Sequence, residues 1–215
     1  VLRKYDLTPY QTNKETYSAY NLTASGSVEV YALWTENSYS LTLDGNGGKL
    51  SDGTTTTETA SYKYETVNVN LANNFARTGY NFLGWATTST ATEAEYEATL
   101  ESLTMKDLLT VEGGKLEESA TLYAVWEEVV YTITYNTNSG DWATGFAPIE
   151  NFTITSETIT LPTSAQIVRT GYTFGGWFTT EAFAEGTAVS TIASGTTQNV
   201  TVYAKWNIVT YTISF

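Results

Sequence analysis

The sequence predicts a mainly β (α+β) protein built from tandem repeats, and three observations support this. A phrase ending in Tyr-Ala-x-Trp occurs three times, at residues 30–34, 122–126 and 202–206. An alternating, strand-like phrase follows each copy, and Arg-Thr-Gly-Tyr-x-Phe-x-Gly-Trp occurs twice, at residues 77–85 and 169–177. Because self-similarity along one chain marks repeat architectures, we expect several copies of a small folding unit.

Composition agrees with a folded, strand-rich chain. Of 215 residues, 41% are hydrophobic, 14% aromatic and only 15% charged, whereas disordered chains are less hydrophobic and more charged. The formal net charge of −13 disfavours nucleic acid and anionic membranes as partners, because an acidic surface repels both. The chain has no Cys and no His, so disulfides, Ser-His-Asp triads, Cys-His dyads and the usual zinc sites are excluded. We therefore expect no enzyme activity, no cofactor and no metal.

The Tyr-Ala-x-Trp phrase predicts the closing strand of each unit. In the third copy Val202, Ala204 and Trp206 alternate with Tyr203 and Lys205, so one face is apolar and the other polar. This period of two indicates a half-buried strand. The small alanine leaves room for an indole to lie against a neighbouring element.

The phrase after each closing strand predicts the opening strand of the next unit. Tyr39, Leu41 and Leu43 take inward positions in one copy, and residues 131–135 repeat the pattern. The Asp-Gly-Asn-Gly-Gly sequence at residues 44–48 predicts a hairpin turn, because Asn-Gly suits positive φ angles. Calcium binding is disfavoured there, since the spaced acidic residues of a calcium loop are missing.

The Gly-Tyr-x-Phe-x-Gly-Trp phrase and the closing tryptophan predict the structural core of each unit. The glycine provides a conformation that a side chain would hinder, and the aromatic residues fill the core. The predicted structural core motif comprises Gly79, Tyr80, Phe82, Trp85, Trp126, Gly171, Tyr172, Phe174, Trp177 and Trp206.

The first complete unit carries an insertion at about residues 88–118. Trp85 and Trp126 are further apart in the chain than Trp177 and Trp206 are in the second unit. Good helix formers, with leucines near helical spacing, run through the insertion and stop at a Gly-Gly pair. We therefore predict a short helix within residues 94–109.

Together these phrases resemble the Listeria-Bacteroides repeat, which is related to the B repeat of internalins. Residues 39–126 resemble one full unit, and residues 131–206 resemble a second. The resemblance implies tandem small β-grasp-like domains with mixed sheets. It also implies strings of such units on secreted and cell-wall proteins of bacteria, where they serve as stalks, spacers or adhesive modules with structural rather than catalytic motif residues.

Matching the phrases to this pattern divides the chain into two complete units and two remnants. Residues 1–34 form an incomplete N-terminal unit that keeps only closing strands. Residues 35–128 and 129–207 are the complete units, and residues 208–215 are an orphan opening strand. The expected form is secreted and mature, since the N-terminus leads into polar sequence and no apolar run is long enough for membrane insertion.

The two remnants are complementary. In a β-grasp unit the first and last strands are central neighbours, so the C-terminal strand of one molecule would complete the N-terminal sheet of another. The candidate inter-subunit strand is Val209, Tyr211, Ile213 and Phe215, and its acceptor strand is Val28, Val30, Ala32 and Trp34. Such a head-to-tail contact does not close and generates a fibre. A cut through a longer array gives the same remnants, and the sequence leaves both explanations open.

Three functions follow from these features. The first is a non-enzymatic extracellular structural protein of a bacterial cell surface that forms or belongs to a pilus-like filament, with itself or neighbouring repeats as partner. The second is an adhesin or stalk segment that binds host protein or glycan, with Trp142 as an aromatic for stacking on sugars. The third is a spacer region of a larger secreted enzyme.

Overall fold

The computed structural model describes residues 35–98, 103–112 and 115–215, without the side chains at positions 111, 112 and 115. The predicted N-terminal unit at residues 1–34, and with it the acceptor strand, lies outside the described residues. The described chain is mainly β, with mixed sheets, and it contains one short helix.

The first complete unit is built on a four-stranded mixed sheet in the order β2-β1-β6-β3. Its elements are β1 (Ser38–Asp44), β2 (Thr57–Lys63), β3 (Tyr80–Ala86), α1 (Met105–Leu108), β4 (Val111–Glu112), β5 (Lys115–Leu116) and β6 (Ser119–Glu128). The opening strand β1 pairs in parallel with the closing strand β6, with Leu41 opposite Ala120 and Leu43 opposite Leu122. This confirms the expectation that the two strands are neighbours.

The second unit repeats this arrangement in a five-stranded sheet of order β13-β12-β15-β7-β9. Its strands are β7 (Tyr131–Asn136), β8 (Asp141–Trp142), β9 (Asn151–Phe152), β10 (Ile159–Thr160), β11 (Ile167–Val168), β12 (Tyr172–Phe178), β13 (Ala188–Val189), β14 (Thr191–Ile192) and β15 (Val200–Ile208). The opening strand β7 and the closing strand β15 are again parallel neighbours, with Ile133 opposite Val200. The repeated sequence phrases thus produce the same central strand pair twice.

Each unit has its own hydrophobic core around a buried tryptophan of the Gly-Trp phrase. Trp85 is fully buried in the first unit, and its indole N–H donates to Leu71 O at 2.7 Å. Trp177 is buried in the second, and its indole N–H donates to Pro162 O at 2.7 Å. These hydrogen bonds satisfy the polar edge of an otherwise apolar side chain, which makes full burial of the indole favourable.

The short helix predicted within residues 94–109 is present near the end of that range. Of the described residues there, only Met105–Leu108 are helical, and a capping box between Thr104 and Asp107 begins the helix. Residues 94–98 are not helical, because the backbone N–H of Tyr96 donates to Trp85 O and its carbonyl accepts from Trp85 N. The backbone N–H and carbonyl of Tyr96 are thus used in pairing with the edge strand β3, and they are not available for the hydrogen bonds of a helix.

The glycine-rich segment after β1 is a turn, and β1 and β2 on either side of it pair as an antiparallel hairpin, as predicted, but with a long connection. Gly48 N donates to Gly45 O at 2.8 Å, which closes the turn, and Asn46 has a φ of 45° as expected. Asp44 is opposite Thr57, so the connection between β1 and β2 continues well beyond the turn. The turn is held instead by the closing strand, because Asn46 Nδ2 donates to Ala124 O at 2.9 Å.

Candidate functional site

The predicted core motif divides into residues that pack in the two cores and residues that form the end of each unit. Trp85 and Trp177 are buried, and Phe82, Phe174, Trp126 and Trp206 are partly buried and pack against the cores. The closing tryptophans also fix the turns: Trp126 Nε1 donates to Gly45 O and Trp206 Nε1 donates to Thr137 O, both at 2.8 Å. Their role is therefore structural in both units.

Tyr80 and Tyr172 do not fill the cores, contrary to the prediction. The guanidinium carbon of Arg77 lies 3.9 Å from the centre of the Tyr80 ring, and that of Arg169 lies 4.0 Å from the Tyr172 ring. Cation–π contact with arginine holds each tyrosine at the end of its unit, outside the described hydrophobic clusters. The Arg-Thr-Gly-Tyr part of the phrase therefore builds an end face, whereas its Phe and Trp build the core.

The end face of the first unit contacts the second unit. Its residues are Gly79, Tyr80 and Glu128, and we call it the inner face. The Glu128 carboxylate accepts hydrogen bonds from the Thr155 hydroxyl, at 2.8 Å to Oε1, and from the Tyr80 hydroxyl at 3.3 Å. Glu128 belongs to the first unit and Thr155 to the second, so the two units meet through a hydrogen-bonded carboxylate.

Hydrogen bonding lowers the pKa of Glu128 from its ordinary value. The hydroxyls of Thr153 and Thr155 are the main causes, followed by the Tyr80 hydroxyl and the positive charge of Arg77. All of these groups favour the ionised carboxylate. The junction therefore contains a charged acceptor at neutral pH, with donors from both units around it.

Gly79 completes the inner face by allowing close approach. Its φ is +78°, and a Cβ added there would lie 2.7 Å from Ile154 Cβ. Ile154 lies in the turn between Thr153 and Ser156, whose Ser156 N donates to Thr153 O at 3.1 Å. The turn of the second unit thus packs directly on the glycine of the first.

The C-terminal end of the second unit has the same backbone arrangement. Val129 N donates to Gly79 O in the first unit, and Val209 N donates to Gly171 O in the second, both at 2.9 Å. Ile208 pairs with Tyr172 at the position where Glu128 pairs with Tyr80. The chain therefore leaves the second unit as it leaves the first, where a further unit follows.

The predicted donor strand is exposed in this chain. Tyr211 is 83% exposed, Ile213 is 75% exposed and Phe215 is fully exposed. In the second unit the equivalent residues Tyr131, Ile133 and Tyr135 belong to the hydrophobic core. Residues 209–215 belong to no strand of the described chain. Val209, Tyr211, Ile213 and Phe215 are not brought together with acceptor residues, since Val28, Val30, Ala32 and Trp34 lie outside the described residues.

Sequence reasoning missed Glu128, Ile154 and Ile208. Aligning the two units on their closing tryptophans would have shown that Glu128 in one corresponds to Ile208 in the other. This change from a charge to an apolar side chain marks a position outside the shared core. No comparable sequence signal selects Ile154, because its contact partner Gly79 lies in the other unit.

The comparisons with known proteins place these two units in one family. The Listeria-Bacteroides repeat domain matches residues 39–111 and again residues 131–205. The chain belongs to the Listeria-Bacteroides repeat family.

The repeat chain is also similar to two curated proteins of Evansella cellulosilytica. One, provisionally named a Gly-rich membrane protein, is 32% identical over 148 residues, covering 66% of this chain and 16% of that protein. The other, provisionally named a membrane protein, is 30% identical over 195 residues, covering 86% of this chain and 24% of that protein. The chain thus spans less than a quarter of the length of either relative. No solved structure matches it.

Other candidate sites in the Listeria-Bacteroides repeats have little support. Within the described ranges, no three acidic residues lie close enough together to hold a metal ion. No described helix is long and apolar enough to cross a bilayer. Trp142 belongs to strand β8, with its ring 5.5 Å from Tyr135 and 6.0 Å from Trp177 between centroids. The aromatic predicted to stack on sugars is therefore partly buried in the second core.

Proposed function

We propose that the protein is a non-enzymatic structural component of a bacterial cell surface, in which β-grasp-like repeats join end to end into a filament. The observation that carries this proposal is the exposed segment 209–215, whose apolar and polar residues alternate after the second unit. Tyr211, Ile213 and Phe215 are equivalent in sequence to Tyr131, Ile133 and Tyr135, which lie in the core of the second unit or pack against it. Burial of these side chains needs a sheet from another unit.

The donor strand pairs with the acceptor strand at residues 28–34 of a second molecule. Burying three large apolar side chains stabilises such a pair by roughly 5–9 kcal/mol, at about 1.5–3 kcal/mol each. Association costs an estimated 4–15 kcal/mol in lost translational and rotational freedom and ordering. Because the free energy gained by burial is comparable to the cost of association, one carboxylate buried with the strand is sufficient to prevent assembly.

The extracellular location is supported by the family and by the relatives. Listeria-Bacteroides repeats match most of the described chain, and both Evansella relatives carry membrane-protein names. A chain with no Cys is compatible with either redox compartment. The glycan-binding alternative is less well supported, since Trp142 packs within the second unit.

The proposal is tested by comparing the parent chain with Ile213→Asp and Ser214→Asp. Ile213 faces the acceptor core in the proposed pairing, whereas Ser214 alternates to the other face. Sedimentation velocity and negative-stain microscopy are expected to show oligomers or filaments for the parent chain and Ser214→Asp, and monomers for Ile213→Asp. A monomeric parent chain at high concentration, or filaments that persist in Ile213→Asp, contradicts the strand exchange.

A further inference from the structure

The junction between the two units provides a template for a second docking surface in the same chain. The inner face receives Ile154 on Gly79 and the Thr155 hydroxyl on Glu128. Both contacts come from one turn, residues 153–156, which follows directly after strand β9. Two adjacent residues of one turn therefore meet two residues of one face.

The second unit carries an equivalent of the inner face at its C-terminal end. We call it the terminal face, and it comprises Gly171, Tyr172 and Ile208. Gly171 has a φ of +80°, against +78° at Gly79. The arginine that stacks on the tyrosine also has the same partner in both units, because Arg77 donates to Asn46 O and Arg169 donates to Asn138 O. The terminal face thus has the same backbone conformation and the same supporting contacts as the inner face.

None of the described residues covers the terminal face. A Cβ added at Gly171 would meet no atom of the described residues within 4 Å, whereas one added at Gly79 would meet Ile154. Ile208 is 69% exposed, which is unusual for a large aliphatic side chain in a strand. An exposed isoleucine beside an open glycine is a surface that burial against a partner would stabilise.

The turn that would cover such a face also recurs. In the first unit Lys63 N donates to the Thr66 hydroxyl and Thr66 N donates to Lys63 O, both at 3.0 Å. In the second unit Thr153 N donates to the Ser156 hydroxyl at 2.9 Å, and Ser156 N donates to Thr153 O at 3.1 Å. Each described unit therefore has both a turn and a receiving face.

We infer that the terminal face is a docking site for a further repeat unit of this type, which binds through its turn equivalent to residues 153–156. This inference rests on the end-to-end joining of repeats in the proposed function, and its occupant is a complete unit that residues 209–215 open, because by sequence residues 1–34 keep only closing strands and have no equivalent of this turn. Because the opening strand leaves the face through the Val209–Gly171 hydrogen bond, its unit is held beside the face as the second unit is held beside the inner face. The array is then a fixed stack of units rather than a flexible string.

The terminal face also selects the chemistry of its partner. At the inner face Glu128 accepts a hydrogen bond from Thr155, whereas Ile208 has no acceptor in its side chain. A hydroxyl placed against Ile208 would lose solvent contact without gaining a hydrogen bond, which is unfavourable. A repeat with apolar residues at the positions of both Ile154 and Thr155 therefore fits the terminal face better than a copy of the second unit does.

The docking is tested with a longer protein made of residues 1–208 followed by residues 129–215. This protein contains the parent chain and a second copy of the second unit, joined in register. The proposal expects two sets of NMR signals for Gly171 and Tyr172. The signals from the original copy are displaced from their positions in the parent chain, and their amides exchange more slowly. The signals from the added copy match those of the parent chain. Ile154→Asp in the added copy alone returns the displaced set to the parent position.

Ile149→Asp in the added copy is the matched control, since Ile149 is 55% exposed and lies in the same unit. It is expected to leave the displaced signals unchanged. Coincident Gly171 signals from both copies, or displaced signals that persist in Ile154→Asp, overturn the docking.

Partner selectivity gives a second readout within the same protein. Thr155→Val in the original copy removes the hydrogen-bond donor to Glu128. The Gly79 signals are then expected to move toward those of an uncovered glycine. Thr155→Val in the added copy places a methyl group against Ile208 and is expected to increase the displacement of the Gly171 signals. Changes of the same sign at both junctions contradict the inferred chemistry. Because the added unit is covalently joined, failure of the parent chain to form filaments does not affect either result.

Discussion

Substituting alanine at Gly79 and at Gly171 measures the contact between the two units. Both glycines have nearly the same backbone conformation, with φ of +78° and +80°, and both lie in the same repeated phrase. Ile154 of the neighbouring unit covers Gly79, whereas no described residue covers Gly171. The two substitutions therefore differ in one physical factor, which is the space available for a methyl group.

The expected magnitudes follow from that difference. A left-handed conformation costs a residue with a Cβ about 1–2 kcal/mol, and this applies to both positions. At Gly79 the new Cβ would also lie 2.7 Å from Ile154 Cβ and 2.8 Å from Ile154 Cδ1. Overpacking of this kind costs typically about 1–3 kcal/mol. Gly79→Ala should therefore destabilise the protein by about 1–3 kcal/mol more than Gly171→Ala.

Hydrogen exchange at increasing urea concentration, read by mass spectrometry on strands β3 and β12, gives the unfolding free energy of each unit separately. Ile154→Ala removes the terminal atoms of the isoleucine, so it should reduce the cost of Gly79→Ala and leave that of Gly171→Ala unchanged. Equal costs at Gly79 and Gly171, or no coupling between Gly79→Ala and Ile154→Ala, would refute the assignment of Ile154 to the inner face.

Three further predictions concern single side chains. Trp177→Phe removes the indole donor to Pro162 O, and the unsatisfied buried carbonyl should lower the unfolding free energy of the second unit by about 1–3 kcal/mol in urea titrations. The pKa of Asp52 is lowered to about 2, chiefly by the Thr55 hydroxyl, so its stabilising contribution is present above the ordinary pKa and is lost as the pH falls toward 2. Carbon-detected NMR titration of Thr55→Val should show a higher pKa for Asp52. Burial raises the pKa of Tyr135 to about 12, so the stability that the neutral phenol contributes below the ordinary tyrosine pKa is lost as the pH rises toward 12. Tyr135→Phe should remove this alkaline dependence, as measured by urea midpoints.

Specific results would contradict each of these predictions. An unchanged urea midpoint in Trp177→Phe would show that the indole hydrogen bond contributes nothing net. An Asp52 carboxyl that titrates identically with and without the Thr55 hydroxyl would exclude that hydroxyl as the cause of its low pKa. An alkaline loss of stability that persists in Tyr135→Phe would assign it to another group.

The sequence was most informative about strands whose side chains alternate. Leu41 and Leu43 are buried and Ser40 is exposed, as the period-two pattern predicted. That the opening and closing strands are neighbours was also anticipated, because the family resemblance supplied the strand order that local sequence lacks; their parallel direction came from the structure. Alternation fixes which face a residue occupies, but only a known topology gives the neighbouring strand.

The predicted short helix is present at Met105–Leu108, but residues 94–98 are not helical, because tertiary hydrogen bonding overrides local propensity there. Glu95 and Tyr96 have neighbours that favour a helix, yet both of their backbone N–H groups donate to Trp85 O. The tyrosines of the Arg-Thr-Gly-Tyr phrase were misplaced for a related reason. The aromatic side chain of Tyr80 predicts a place in the hydrophobic core, but stacking with Arg77 holds it at the end of the unit. The pairing of Tyr96 with Trp85 joins separate segments of the chain, whereas Arg77 and Tyr80 lie in one short phrase and only the backbone conformation between them brings them into contact.

The repeated phrases by themselves determined that the chain contains two similar units. They also determined the inward faces of the central strands and which tryptophans are buried, because these features depend on residues close together in sequence. The tertiary structure decided where the units meet. Ile154 covers Gly79 across the junction, whereas Gly171 in the same phrase has no such neighbour within the described part of the chain. Identical local sequence therefore has different surroundings at the two positions, since the contact that distinguishes them comes from another unit.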